Sequence, residues 1–434
     1  MTVTKNVISV PQGAWYNERD VELQFPEEWA VTVCAMKGHD APALDEAGFR
    51  KAFANPIGSS TIRELAQGKK NIVILFDDMS RPTKTFEIVP FVLEELAAAG
   101  VEEDNIQFIC ALGSHGALTA HDFAKKLGRD IPGRFNVYNH NPYENCSYVG
   151  TTSRGTRVSL NTEFVNADFK IGIGSILPHL GVGFGGGGKI ILPGIAAIST
   201  IVHNHGPVRN HARKSGIDCN TGMGKYQHNA QRLDIEEACN LSGLNILIDA
   251  MVNIHSDITA LFVGEPNAQY YEGVKLAESH YWSPLPDKPD IVVVNCNAKS
   301  NETMIGSLIA QSLLPDSGGT VVMISNNPSG EVCHYLRRKF GNHTAGQLWR
   351  ASNLTENVQK FILLTPLHDK AGEAWIAPPG SITRAENWDE VITILKADYP
   401  EGARVAVVPD GTIQYFDVIS KMAYSGEGVD STIN

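Results

Sequence analysis

The chain has 434 residues, 43% of them hydrophobic and 19% charged, an ordinary globular composition long enough for two or three domains. A net charge of -12, with no basic run of five or more residues, argues against nonspecific binding to nucleic acid or anionic membrane. The seven cysteines include no C-x-x-C pair, the first twenty residues contain no apolar signal-type stretch, and no window approaches eighteen uninterrupted apolar residues. No disulfide framework, cysteine zinc site, secretory signal or transmembrane helix is therefore expected, and a reducing cytoplasm is the expected compartment.

In chain order, NIVILFDD (71–78) reads as a buried strand and FEIVPFVLEELAAAG (86–100) as the following helix, closed by Gly100 and with Pro90 in its first turn. IQFICAL (106–112) and FKIGIGSI (169–176) are further strands, and LNILIDAMV (244–252) with ITALFVG (258–264) read as a strand pair. DIVVVN (290–295), TVVMIS (320–325), FILLTP (361–366) and ARVAVVP (403–409) complete the set, with helices between most of them. The alternation predicts an α/β protein of two α/β domains with mostly parallel sheets and an active site in the cleft between them. The proline-rich WSPLPDKPD (282–290) marks the boundary. Residues 1–285 are expected to form the catalytic domain and 286–409 a doubly wound domain, with the tail 410–434 packing back on the first or fraying.

Ligands of open α/β sheets bind beyond the carboxyl ends of the strands, and the polar clusters of this chain fall there. The first strand runs into Asp77, Asp78, Ser80 and Arg81, the second into Ser114, His115 and Gly116, and the third into Pro178 and His179. Asp78 and Arg81 could form a local salt bridge; alternatively Arg81 offers a planar fork for a carboxylate or phosphate while Asp78 orients a neighbour. His115 alone could cap a turn, and His179 alone could be a satisfied half-buried ring. At two strand ends of one sheet they could flank a substrate carbon as acid and base.

The densest segment is PHLGVGFGGGGKIILPGIAAISTIVHNH (178–205), and packing alone does not account for it. Gly185, Gly186, Gly187 and Gly188 would let backbone N–H groups approach an anion, and Lys189 could neutralise it or bond a carbonyl carbon. Gly183, Gly188 and Lys189 meet the P-loop pattern, but Ile190 stands where the magnesium-holding hydroxyl belongs. The segment therefore reads as a phosphate cradle outside the nucleotide triphosphatases. His203 and His205 lie two apart and would point to different helix faces, so one is expected as a ligand and the other in packing. His211 has a weaker claim, and the remaining histidines, His334 among them, show no constellation.

Taken together, NPIGSSTIRELAQGKKNIVILFDDMSRPT (55–83), GSHGALT (113–119), PHLGVGFGGGGKIILPG (178–194), the His-Asn-His triplet and residues 232–266 resemble the nickel-pincer-nucleotide-dependent lactate racemase family. The resemblance covers residues 10 to 280 well and the rest loosely. It implies that Lys189 holds the pyridinium-derived cofactor through a thioamide and that His205 is the protein ligand to nickel, in a planar site that suits Ni(II). It further implies that Arg81 lies near the substrate carboxylate, that Asp78 shares its motif, and that His115 and His179 are the acid/base pair. The implied reaction is racemisation or epimerisation of a 2-hydroxy acid by reversible hydride transfer, with proteins of cofactor synthesis as the loading partners.

Two departures point away from lactate. Gly116 replaces an arginine common after the first histidine, and Ile305 and Leu308 stand near the positions expected to carry glutamine and lysine, with Lys299 as the nearest substitute. A larger or more polar 2-hydroxy acid, sugar acids included, is the expected substrate. The alternatives are another redox or dehydration reaction with the same cofactor, or a non-catalytic protein that binds a phosphate or nucleotide through the glycine loop. The sequence leaves the oligomeric state open.

Overall fold

Five consecutive apolar residues, Ile72–Phe76, are buried completely, because a strand in the middle of a parallel sheet has no solvent face. Their alternation feeds two cores. Ile72, Ile74 and Phe76 meet Phe49, Val92 and Phe123, carried by helices Glu46–Ala54, Thr85–Ala98 and Ala120–Leu127. Val73 and Leu75 point the other way, toward Val158, Ile191, Ile235 and Ala238, the last two from helix Ala230–Ser242. The computed structural model describes residues 6–336, 354–378 and 380–417.

The sheet around this strand has six members in the order Ile258–Gly264, Ile246–Val252, Phe169–Ser175, Ile72–Phe76, Ile106–Cys110 and Asn136–Asn139. Only the edge strand Ile258–Gly264 runs antiparallel, so the expected strand pair is a hairpin added to a parallel sheet. This unit comprises Asp40–Ser279 together with a short later segment whose described residues are 333–336. Helix Thr85–Ala98 begins one residue before the expected span, and Pro90 is its sixth residue. The expectation of a first-turn proline is therefore corrected: the ring sits in the second turn, where the missing N–H costs one interior hydrogen bond.

The second unit is built on six parallel strands in the order Ile382–Ala385, Val358–Leu364, Gly319–Ser325, Ile291–Cys296, Arg404–Val408 and Ala30–Val33. Val293, Val322, Ile362, Val407 and Leu395 fill its core. The chain up to His39 belongs here rather than with the other sheet. Ala30–Val33 pairs with Arg404–Val408, and the hairpin Val7–Gln12/Arg19–Gln24 brings Val10 and Leu23 to the same core. Residues 410–417 also group here, where Tyr415 N–H donates to the Tyr281 carbonyl and the Gln414 amide to the Cys34 carbonyl; 418–434 lie outside the described residues. Among the described residues no helix is long and apolar enough to cross a membrane.

Candidate active site

Three neighbouring strands of the first sheet end in the candidate residues. Ile72–Phe76 is the middle one and leads to Asp77, Asp78 and Arg81; Ile106–Cys110 on one side leads to His115, and Phe169–Ser175 on the other leads to His179. The topology therefore places the two histidines on either side of the strand that carries the acid and the arginine.

The two acidic residues differ in use. Asp77 pairs at 2.7 Å with Lys126, itself fully buried, and accepts from Thr83 at 2.6 Å. Burial pushes its carboxyl above the usual range against the pull of Lys126, and its partners all hold the loop, since the Lys126 ammonium also donates to the Arg81 carbonyl at 2.9 Å. Asp78 instead faces His115, with its Oδ2 2.6 Å from Nδ1 of the ring. Burial alone would raise the Asp78 carboxyl, but His115, then Arg81 and the Ser80 hydroxyl, hold it well below the usual carboxylate range. Arg81 donates to the Ser80 carbonyl and hydroxyl at 2.9 and 2.8 Å.

Hydrogen-bond partners assign the protons on the two rings. A carboxylate can only accept, so His115 carries its proton on Nδ1 and presents Nε2 as the basic atom. His179 is the reverse: its Nδ1 accepts the backbone N–H groups of Gly181 and Val182 at 3.0 and 3.2 Å, so its proton sits on Nε2. The turn that aims those N–H groups is pinned by the buried Asn229, which caps helix Ala230–Ser242 and donates to the Gly181 carbonyl at 2.9 Å. One ring thus offers a base and the other a donor, an arrangement able to take a proton from a hydroxyl at one end and stabilise an alkoxide at the other.

The glycine run departs from the expected anion cradle. A Cβ at Gly187, where φ is +60°, would lie 2.8 Å from the Tyr270 ring, and one at Gly188 would lie 2.8 Å from the Cys239 Cβ. The Gly187 N–H donates at 2.8 Å to Asp249 Oδ2, and the fully buried Arg232 bonds the Gly186 and Phe184 carbonyls while stacking 4.2 Å over Tyr270. Close packing against helix Pro266–His280 therefore accounts for Gly187, and against helix Ala230–Ser242 for Gly188. Gly186 keeps partial exposure, and the half-buried Lys189 follows in a short 3-10 turn.

Beyond it, helix Ile198–His203 continues through a π turn, Asn204–Val208, into helix Arg209–Ser215. Pro207 lacks the N–H that an α turn requires, and π turns of this kind recur at functional sites. The buried Asn204 donates to Asp234 Oδ2 at 2.8 Å, and Thr156 donates to the same oxygen at 2.8 Å. With its hydrogen so used, Thr156 Oγ1 accepts from His203 Nδ1 at 2.8 Å, which ties His203 into the structure. His205 Nδ1 lies 3.1 Å from the Ile201 carbonyl, a bond that puts its proton on Nδ1 and makes Nε2 the nitrogen with a lone pair. His211 is exposed and, with His203, Arg154 and Asp218, lines an open depression of about 530 Å³. Lys299 belongs to the other unit, where it is buried and ion-paired with Glu302 at 2.8 Å.

Sequence reasoning passed over Asp249, Arg232, Asn204 and Asp234. Asp249 carried a signal, a lone carboxylate inside the apolar run of strand Ile246–Val252; the others gain their meaning only from partners distant in sequence.

Residues 16–216 match the lactate racemase N-terminal domain. The lactate racemase of Thermoanaerobacterium thermosaccharolyticum is 24% identical over 427 residues, covering 91% of this chain and 96% of that one. The lactate racemase of Lactiplantibacillus plantarum is 28% identical over 322 residues, covering 73% and 74%. Among solved structures, the lactate racemase apoprotein from T. thermosaccharolyticum superposes with a TM-score of 0.69 at 21% identity, over 94% of this chain and 99% of that one. A Thermotoga maritima protein gives 0.58 at 18% identity, over 82% and 97%. The chain carries a lactate racemase N-terminal domain over residues 16–216 and is similar to lactate racemases over most of its length, which supports an isomerase.

Proposed function

We propose that this racemase inverts the α-carbon of a 2-hydroxy acid by moving its α-hydrogen as hydride, with a nickel-bearing pincer nucleotide held by Lys189 and His205. The observation that carries this reading is the opposed protonation of His115 and His179 on either side of the Asp78/Arg81 loop. An α-hydrogen beside a carboxylate is hard to remove as a proton, because the product would gather two negative charges. Its departure as hydride, with the hydroxyl proton passing to a base, leaves an uncharged ketone beside the carboxylate. Nε2 of His115 is that base, and Asp78 fixes its ring and stabilises the imidazolium. Arg81 holds the carboxylate through its guanidinium. For a planar 2-keto acid reduced on its opposite face, the Nε2–H of His179 would stabilise the alkoxide that forms, and a proton taken up there, matched by the release of the one left on His115, would complete the hydroxyl.

The residues present fit the cofactor. Among the described residues no group of three or more His, Cys, Asp or Glu side chains is arranged to hold a metal ion, which fits a metal that arrives with most of its ligands supplied by an organic group. One imidazole nitrogen from His205 and one amine from Lys189 are what such a group would require of the chain. When bound, it supplies the reversible acceptor for the α-hydrogen and its electron pair. The solved racemase is itself called an apoprotein, the term for a protein without its cofactor. The packing of Gly187 and Gly188 speaks against the competing reading as a plain phosphate-binding loop. Gly116, Ile305 and Leu308 favour a substrate other than lactate, larger or more polar.

The test uses protein co-produced with cofactor-synthesis proteins and 2-hydroxy acids deuterated at the α-carbon. The expected result is inversion with the label retained and no keto acid released. Exchange of the label with solvent, or accumulation of keto acid, would overturn the hydride-return reading.

A further inference from the structure

His334 stands 220 residues from Ser114 in sequence, yet it lies against the loop that carries His115. Residues 333–336 run antiparallel to 114–116. The Gly116 N–H donates to the Cys333 carbonyl at 2.9 Å, the Tyr335 N–H donates to the Ser114 carbonyl at 2.7 Å, and His115 and His334 are bridge partners. Leu336, 1% exposed, anchors the segment in the core shared with Ile191 and Ile235. Gly116 makes the approach possible, since a Cβ there would stand 3.1 Å from the Cys333 Cβ. The missing side chain at 116 thus has a physical reason in this chain: the Cys333 side chain crowds its place.

The His334 ring is itself fixed. Its Nδ1 accepts the Leu336 N–H at 3.2 Å, so Nε2 carries the proton and faces the Ser114 hydroxyl at 3.3 Å. The ring packs edge to face on His115, with centroids 5.2 Å apart and planes at 63°. The bond from Asp78 holds one nitrogen of His115 but leaves the ring able to swing about that bond; an aromatic edge against its face removes that freedom.

We infer that His334 is a positioning residue for His115, holding the plane of the proton-accepting ring. The inference rests on the reading of His115 as that acceptor, and it reaches the reaction only through His115. Misplacing a reacting group by about 1 Å costs up to about a hundredfold in rate. His334→Ala should accordingly lower kcat about ten- to hundredfold while KM stays within about threefold. His334→Phe, which keeps an aromatic edge and loses the Ser114 bond, should recover most of kcat, whereas His334→Gln, which keeps a polar group and loses the ring, should not.

The experiment compares the three variants with wild type in two ways, by steady-state racemisation after cofactor loading and by NMR of the histidine-labelled full chain without cofactor. The His115 ring signals should be sharp in wild type and His334→Phe and broadened in His334→Ala. Wild-type kcat in His334→Ala, unbroadened His115 signals in that variant, or recovery by Gln rather than Phe would overturn the inference. If loaded wild-type protein races no 2-hydroxy acid, the proposed reaction fails and the NMR comparison alone decides the role of His334. If His334→Ala does not fold, the Phe and Gln pair carries the decision by the same signs.

Discussion

Asp78→Asn isolates the proton assignment of His115. In the wild-type protein the Ser80 N–H and hydroxyl donate to Asp78 Oδ1, at 2.8 and 2.5 Å, and His115 Nδ1 donates to Oδ2 at 2.6 Å. An asparagine has one acceptor oxygen, and the two Ser80 donors claim it. The amide NH2 then faces Nδ1, two donors would oppose each other, and His115 escapes by moving its proton to Nε2. The atom meant to accept the hydroxyl proton is then blocked, although the ring has not moved. An Asp-to-Asn exchange in a comparable Asp–His pair costs about 10⁴ in rate, and the expected loss here is about 10³ to 10⁴ in kcat, or roughly 4 to 5.5 kcal/mol of barrier. The assay is the initial rate of inversion by chiral chromatography, on wild type and variant matched for nickel content. A kcat within tenfold of wild type, or an effect confined to KM, would refute the assignment of Nδ1–H and with it the basic Nε2.

Two further perturbations test what lies beneath the site. Burial pushes the Asp249 carboxyl up to about 6, against the bonds from Gln269 and the Gly187 N–H that favour the anion. A folded-state value raised from 3.8 means the folded chain keeps a proton that the unfolded chain has released, so stability falls as pH rises from about 4 to about 6, by on the order of 3 kcal/mol, and stays lowered above. Asp249→Asn, whose oxygen can accept both donors, should flatten denaturant midpoints over that interval and raise them at pH 7.5; an unchanged slope would contradict the assignment. Gly187→Ala should destabilise by on the order of 3 kcal/mol, from the left-handed backbone and the contact with Tyr270, while Gly185→Ala, whose Cβ would have ordinary room, should cost little. Equal urea midpoints for the two alanine variants would show that packing does not explain the glycine run.

The buried strands could be read because a central parallel strand is a nearly continuous apolar run: Ile72–Phe76 is unbroken, and Ile106–Cys110 and Ile291–Cys296 are interrupted only by Gln107 and Asn295. Their polar exits, Asp78, His115 and His179, could be read with them, since strand ends are where such sheets hold ligands. Ala30–Val33 could not: it has four residues, none buried, and its strand partner is nearly the full chain length away. The glycine run was read for its freedom to approach an anion, because the residues that fill its space, Tyr270 and Cys239, lie well beyond it in sequence. The same limit hid His334, which has no local pattern and acquires a role only when the chain returns to Ser114.

Intact-mass measurement with metal analysis, on chain co-produced with the cofactor-synthesis proteins, tests the assignment of Lys189 and His205 most directly. The predicted result is a covalent increment mapping to Lys189 with about one nickel per chain, the increment lost in Lys189→Ala and the nickel depleted in His205→Ala. An unmodified, nickel-free chain from a host that demonstrably loads a known racemase would contradict it.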